Sequence, residues 1–207
     1  TEIVVFKVSD YVRHLIESIN SDEKSILPMM AYYGTNRAII DDLRPKIVNT
    51  ERKFDRFESL QSGLNVKLRF GYLFEWLVRM EDKQRRVREA KRDFDYQLPE
   101  LALLDEAIQK VLPGFSHLRS ELVDNELTFV IDRIEGNQRR SLQTMQLSDG
   151  YRTTLALVAD LARRMIQANP FSYALGNTLD LPGVVMIDEI DLHLHPQWQQ
   201  VILQQLQ

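Results

Sequence analysis

Cysteine is absent from this chain of 207 residues, so neither a disulfide nor a thiolate metal site contributes to it. No apolar run approaches the roughly 20 residues that a membrane-spanning helix needs. The first residues, Thr1 to Phe6, lack the basic leader and cleavage site of a signal peptide. These absences predict a cytoplasmic protein without a membrane segment.

The charge balance offers no bulk attraction to nucleic acid, because the formal net charge is -4. A DNA contact would therefore need a local patch, and the densest cluster of cations is Arg85, Arg86, Arg88, Lys91 and Arg92. Two of these arginines follow Glu81 and Asp82 at the i,i+4 spacing of helical ion pairs. This spacing favours a solvated helix, with DNA binding as the alternative.

The spacing of apolar residues divides the chain into strands and helices. Short apolar runs predict strands over residues 3–8, 26–33 and 184–188, and a β-meander over 115–146. Spacings of three and four predict helices over 10–20, within 66–112, over 151–168 and from Pro196 onward. The mixture indicates an α/β domain with a helical insertion over 54–112.

A first motif, residues 147–152, stands immediately before the helix predicted over 151–168. A helix N-terminus exposes unpaired N–H groups that suit a phosphate. Ser148 adds a hydroxyl, and Gly150 lets the backbone approach a ligand closely. The alternative is a plain helix cap, for which Ser148 or Asp149 would be an ordinary choice.

A second motif begins about forty residues later with the strand 184–187, which is apolar at every position. Such a strand is expected to be parallel and covered on both faces. Asp188 and Glu189 follow at its carboxyl end, where open α/β sheets bind their ligands. The alternative is a buried strand that ends in two acidic loop residues.

The second motif continues into His193 and His195, a His-x-His pair beside acidic residues. Such a pair can ligate a catalytic metal, which leaves a metal hydrolase open as an alternative function. Further ligands would be needed, and the only other histidines are His14 and His117, in segments not predicted to reach this site. Orientation of a loop or a place at an interface is the favoured interpretation.

The order and spacing of the two motifs resemble the signature motif, Walker B strand and D-loop of ABC-type ATPases of the RecF, SMC and OLD branch. The runs 27–37, 74–76, 112–115 and 155–164 extend the resemblance. They are similar to PtuA-type ATPases of Septu and retron anti-phage systems.

The resemblance implies an ABC-ATPase-like P-loop fold of the α/β class. Residues 1–53 would belong to one lobe of the ATPase core, 54–112 to the helical insertion, and 113–207 to the lobe with both motifs. No Gly-x-x-x-x-Gly-Lys-Ser/Thr phosphate loop occurs in the chain. The fold is therefore expected to be partial here, and the chain alone inactive as an ATP hydrolase.

The resemblance also implies the site. Asp188 would hold Mg²⁺, and Glu189 would polarise the attacking water. The nucleotide-binding residues that it implies are Ser148, Asp149, Gly150 and Asp191, with the last in the D-loop. Arg37 follows a predicted strand near the same end of the sheet, and its role stays open.

The partners that the resemblance implies are a second copy of the chain, joined around ATP, and an HNH nuclease of the PtuB type. In retrons a reverse transcriptase with its DNA–RNA product would join them. The implied function is a nucleotide-gated ATPase that regulates this nuclease in anti-phage defence. A DNA-repair or OLD-type ATPase with its own nuclease domain is the alternative, besides the metal hydrolase and a degenerate interaction module.

Overall fold

The computed structural model describes residues 2–22, 24–34, 55–60, 70–136, 138–176 and 178–190. Its helices are α1 (Glu2–Ser21), α2 (Phe70–Lys91), α3 (Pro99–Val111) and α4 (Asp149–Ala168). Its strands are β1 (Met29–Tyr33), β2 (Phe115–Val123), β3 (Glu126–Glu135), β4 (Gln138–Gln143) and β5 (Gly183–Ile187). In these ranges no helix is both long and apolar enough to cross a membrane.

Strands β2, β3 and β4 form an antiparallel sheet in chain order, which confirms the predicted meander. Asp124 and Asn125 make the first turn with φ values of 49° and 66°. Two successive positive φ values match the twist of a two-residue hairpin, and aspartate and asparagine tolerate them better than most residues.

The main core lies where α2, α3 and α4 pack against this sheet. Leu73 and Leu77 of α2 are buried there with Leu104 and Ile108 of α3. Phe74 meets Phe129 of β3 edge to face, with 4.8 Å between the ring centroids. The predicted apolar stripes of α2 and α3 are thereby confirmed as the faces that bury these helices.

A second, parallel sheet contains β1 and β5, paired from Met29 with Gly183 to Tyr33 with Ile187. Its inner face packs on Leu157, Leu161 and Met165 of α4. A parallel sheet that packs against helix α4 confirms the α/β class that the sequence predicts.

Two predictions about strands are wrong. Residues 3–8 belong to helix α1 rather than to a strand, because apolar residues spaced three or four apart continue back through Val8 to Val4 and outweigh β-branched propensity. Strand β5 is covered on one face only, since Val184 and Met186 are 55% and 46% exposed. Among the described residues, therefore, only the face of β5 toward α4 is covered.

Candidate nucleotide site

Helix α4 runs antiparallel to β1. Near its end, the Asn169 side chain accepts a hydrogen bond from the Leu27 backbone at 2.8 Å. Nearer its beginning, Asp160 accepts one from the Tyr33 hydroxyl at 3.0 Å. The N-terminus of α4 and the carboxyl ends of β1 and β5 therefore point toward the same end of the molecule.

The first motif lies at the start of α4, which begins at Asp149, two residues before the predicted start at 151. Ser148 is the N-cap residue by its backbone angles, yet its side chain makes no capping hydrogen bond. The Asp149 side chain is 73% exposed and pairs with Arg152. Residues of α4 are buried at almost every position from Thr153 onward, whereas those of the first turn are not, and the N–H groups of a first turn have no acceptor within their helix.

In the second motif, Asp188 directly follows β5 and is hydrogen-bonded to β1 at two points. The backbone N–H of Asp188 donates to the Tyr33 carbonyl at 2.8 Å. The Tyr32 hydroxyl donates to Oδ2 of Asp188 at 2.9 Å. This hydrogen bond raises the pKa of Tyr32 above its usual value, so the phenol is protonated near neutral pH and acts as the donor.

Glu189 has a φ of 43°, in the left-handed region. A glutamate in this conformation is uncommon, because its Cβ crowds the backbone at a cost of about 1–2 kcal/mol. The chain turns here directly after the sheet, and Glu189 is exposed. Strained backbone of this kind concentrates at functional sites, which motivates a role for this carboxylate.

A buried ion network, which the sequence did not predict, joins the middle of α4 to β1. Asp160 pairs with Arg163 and Arg164 at 2.8 Å each. Burial alone would raise the pKa of Asp160, but the two guanidiniums outweigh it and hold that pKa below its usual value. Burial also raises the pKa of Tyr33, and the charge of Asp160 adds to the effect. In the sequence, this network leaves only an aspartate followed by arginines at i+3 and i+4. The same spacing is equally typical of a solvated helix, so it does not predict a buried network.

The cations in the charged segment of α2 have partners within the chain. Arg85 and Arg86 both pair with Asp82, and Arg88 donates to the Tyr96 carbonyl at 2.7 Å. This agrees with the solvated-helix interpretation. The predicted pairing of Glu81 is wrong: its carboxylate turns inward and accepts hydrogen bonds from the backbone and hydroxyl of Ser120.

Four of the residues singled out in the sequence lie outside the described residues: Arg37, Asp191, His193 and His195. Within the described ranges, no group of three or more histidine and acidic side chains could hold a metal ion. A zinc-type cage is thus not found in that part of the chain. The exposed oxygen donors of Asp188 suit Mg²⁺, which usually binds one or two carboxylates together with waters and phosphate oxygens.

A family model described as "AAA domain, putative AbiEii toxin, Type IV TA system" matches residues 40–207. This span holds both motifs and most of the chain. The chain belongs to this AAA-domain family. The resemblance to an ATPase predicted from the two motifs is thereby confirmed.

Curated relatives of this AAA-domain chain point the same way. It is 33% identical over 201 residues to the retron Ec83 probable ATPase of Escherichia coli, covering 95% of the chain and 32% of that protein. It is 29% identical over 216 residues to the retron Vc95 probable ATPase of Vibrio cholerae, covering 87% of the chain and 41% of that protein. The Septu protein PtuA of Bacillus mycoides is 43% identical over 60 residues, which are 29% of the chain and 8% of PtuA. The chain thus spans well under half the length of each.

Proposed function

We propose that ATP binds at sites shared between two neighbouring copies of the protein. Each copy contributes one motif to each of two such sites. The second motif, with Asp188 and Glu189, serves the nucleotide bound by its own copy. The first motif, with Ser148, Asp149 and Gly150, contacts the γ-phosphate of the nucleotide bound by the other copy. ATP hydrolysis at these sites is the proposed activity.

The observation that carries this proposal is the separation of the motifs along α4. The backbone N–H of Asp188 is hydrogen-bonded to Tyr33, and the Tyr33 hydroxyl is hydrogen-bonded to Asp160. Measured along the axis of α4, Asp188 therefore lies near Asp160. Ser148 precedes Asp160 by twelve residues, which is about 18 Å along the helix axis at 1.5 Å per residue. The motifs face the same end of the molecule, yet such a separation favours contact with different nucleotides. Head-to-tail contact between two copies would bring complementary motifs together.

Each residue then has a role that follows from its position. The exposed first turn of α4 offers N–H groups and the positive end of the helix dipole to a phosphate. Asp188 would hold Mg²⁺, which when bound neutralises charge on the phosphate oxygens. Glu189, on the strained turn, would orient and polarise the attacking water. Asp191 would lie in the D-loop between the two copies.

The similarity to retron and Septu proteins supports a biological setting for this activity. We propose that the ATPase acts in anti-phage defence and regulates a partner nuclease of the HNH type, together with a reverse transcriptase and DNA–RNA if the system is a retron. A cytoplasmic location is part of the proposal, and the absence of cysteine from the sequence supports it. No described contact favours an OLD-type nuclease domain or a metal hydrolase.

The test is complementation between two variants of the full-length protein, Glu189→Gln and Ser148→Ala, the second of which removes the hydroxyl without adding bulk at the interface. Each alone should lose most ATP hydrolysis, because every composite site in its dimer is damaged. A mixed dimer contains one site with both defects and one site with neither. Random pairing at equal concentrations should therefore restore about a quarter of the wild-type sites.

Hydrolysis by the mixture should be measured after dissociation and reassociation of the two proteins. Recovery well above the sum of the separate variants supports sites shared between copies. A mixture that stays inactive contradicts the sharing of sites. Wild-type turnover by Glu189→Gln alone contradicts the role of that carboxylate. A mixture of Glu189→Gln with a second Glu189→Gln preparation is the matched control and should recover nothing.

A further inference from the structure

Tyr32 and Tyr33 are consecutive residues of β1 whose hydroxyls serve opposite faces of the parallel sheet. Side chains alternate between the faces of a strand. Tyr33 points to α4 and donates to Asp160 at 3.0 Å. Tyr32 lies on the other face, where its neighbours Met30, Val184 and Met186 are exposed.

The same alternation of side chains along β5 places Asp188 on the face of the sheet that holds Tyr32. Met186 is the register partner of Tyr32, and two residues further the side chain returns to this face. The backbone of Asp188 is still bonded to β1, through the Tyr33 carbonyl at 2.8 Å. The Tyr32 hydroxyl completes the arrangement with its 2.9 Å hydrogen bond to Oδ2 of Asp188.

We propose that Tyr32 is a positioning residue for Asp188, and this rests on the proposed metal role of that carboxylate. An exposed aspartate at the end of a strand can adopt several staggered rotamers, and a hydrogen bond from a neighbouring side chain favours one of them. The Tyr32 hydroxyl fixes the side-chain orientation from an adjacent strand, whose own position is set by α4. A carboxylate oxygen has two lone pairs, so Oδ2 accepts this bond and keeps a second direction toward a cation or its water.

Hydrogen-bond partners of metal ligands commonly tune metal affinity by 10- to 100-fold. Because this hydrogen bond is solvent-exposed, the effect should lie at the lower end. We expect Tyr32→Phe to weaken divalent-cation affinity by about tenfold and to leave the thermal midpoint nearly unchanged. Phenylalanine retains the ring, so only the hydrogen bond is removed.

The probe is Mn²⁺. Its binding to the full-length protein is measured by electron paramagnetic resonance in the presence of a non-hydrolysable ATP analogue. A parallel measurement gives the Mg²⁺ concentration for half-maximal ATP hydrolysis. Tyr33→Phe is the matched control: the same atom is removed one residue away, on the other face. It should lower the thermal midpoint and keep wild-type Mn²⁺ affinity.

Asp188→Asn separates failure of this inference from failure of the proposed site. Loss of Mn²⁺ affinity in Asp188→Asn, with wild-type affinity in Tyr32→Phe, would overturn the positioning role alone. Wild-type affinity in Asp188→Asn would overturn the metal role of Asp188 and the positioning role with it. The proposal is supported if Tyr32→Phe weakens Mn²⁺ binding in the wild-type background but has no further effect in the Asp188→Asn background. The hydroxyl then acts only through this carboxylate.

Discussion

The hydroxyl of Tyr33 lies 3.0 Å from Oδ2 of Asp160, with both side chains buried. This contact joins the end of β1 to the middle of α4. It therefore holds helix α4 against strand β1 on the buried face of the parallel sheet.

Tyr33→Phe should lower the free energy of unfolding by about 1 kcal/mol. The loss is modest because Asp160 keeps its bond to the Arg164 guanidinium at 2.8 Å. Thermal unfolding of the full-length protein measures the change. Tyr173→Phe, at a side chain 48% exposed, is the control and should stay within about 0.5 kcal/mol. Equal effects of the two substitutions would contradict a structural role for the buried hydroxyl.

Asp160→Asn should be more damaging, by about 3–5 kcal/mol at neutral pH, since it removes the buried carboxylate that pairs with the guanidiniums of Arg163 and Arg164. The effect should depend on pH. Because the folded pKa of Asp160 is lowered, the stability it contributes is present above its unfolded pKa and is lost as pH falls through the folded value.

Thermal midpoints of wild type and Asp160→Asn should therefore converge on acidification below about pH 4, the usual range of an aspartate. Their difference should be widest near neutral pH. A constant difference across the whole pH series would show that charge at Asp160 does not contribute to stability.

For Glu81 the pH dependence of stability should have the opposite sign to that for Asp160. Burial raises its pKa, and the hydrogen bonds from Ser120 only partly oppose this. A raised folded pKa means that the stabilising, protonated form is fully present below the unfolded pKa and is lost as pH rises through the folded value. Glu81→Gln removes the buried charge and should raise the thermal midpoint at pH 7–8 relative to wild type.

This advantage of Glu81→Gln should vanish near pH 4, where wild-type Glu81 is protonated too. Glu81→Ala is the matched comparison. It deprives the Ser120 N–H of its acceptor, now at 2.8 Å, and should cost about 1–3 kcal/mol at every pH. A pH-independent difference between Gln and wild type would contradict the assigned cause.

The sequence predicted what local chemistry decides. The helical spacing of α2 and α3 and the β-meander agree with the structure, and α4, predicted over 151–168, spans Asp149–Ala168. Each depends on residues within a few positions, where periodicity and backbone preference act directly. The two motifs were recognisable for the same reason, because each is a short run of defined residue types.

Contacts across the chain were decided only by the tertiary structure. The partners of Asp188 and Asp160 are tyrosines 156 and 127 residues away, and no local pattern relates such positions. Glu81 turned inward because packing of α2 on β2 placed Ser120 within reach, overriding an ion-pair spacing that was locally satisfactory. Burial and long-range pairing set these outcomes, since the free energy of a polar side chain depends on which distant groups replace its water.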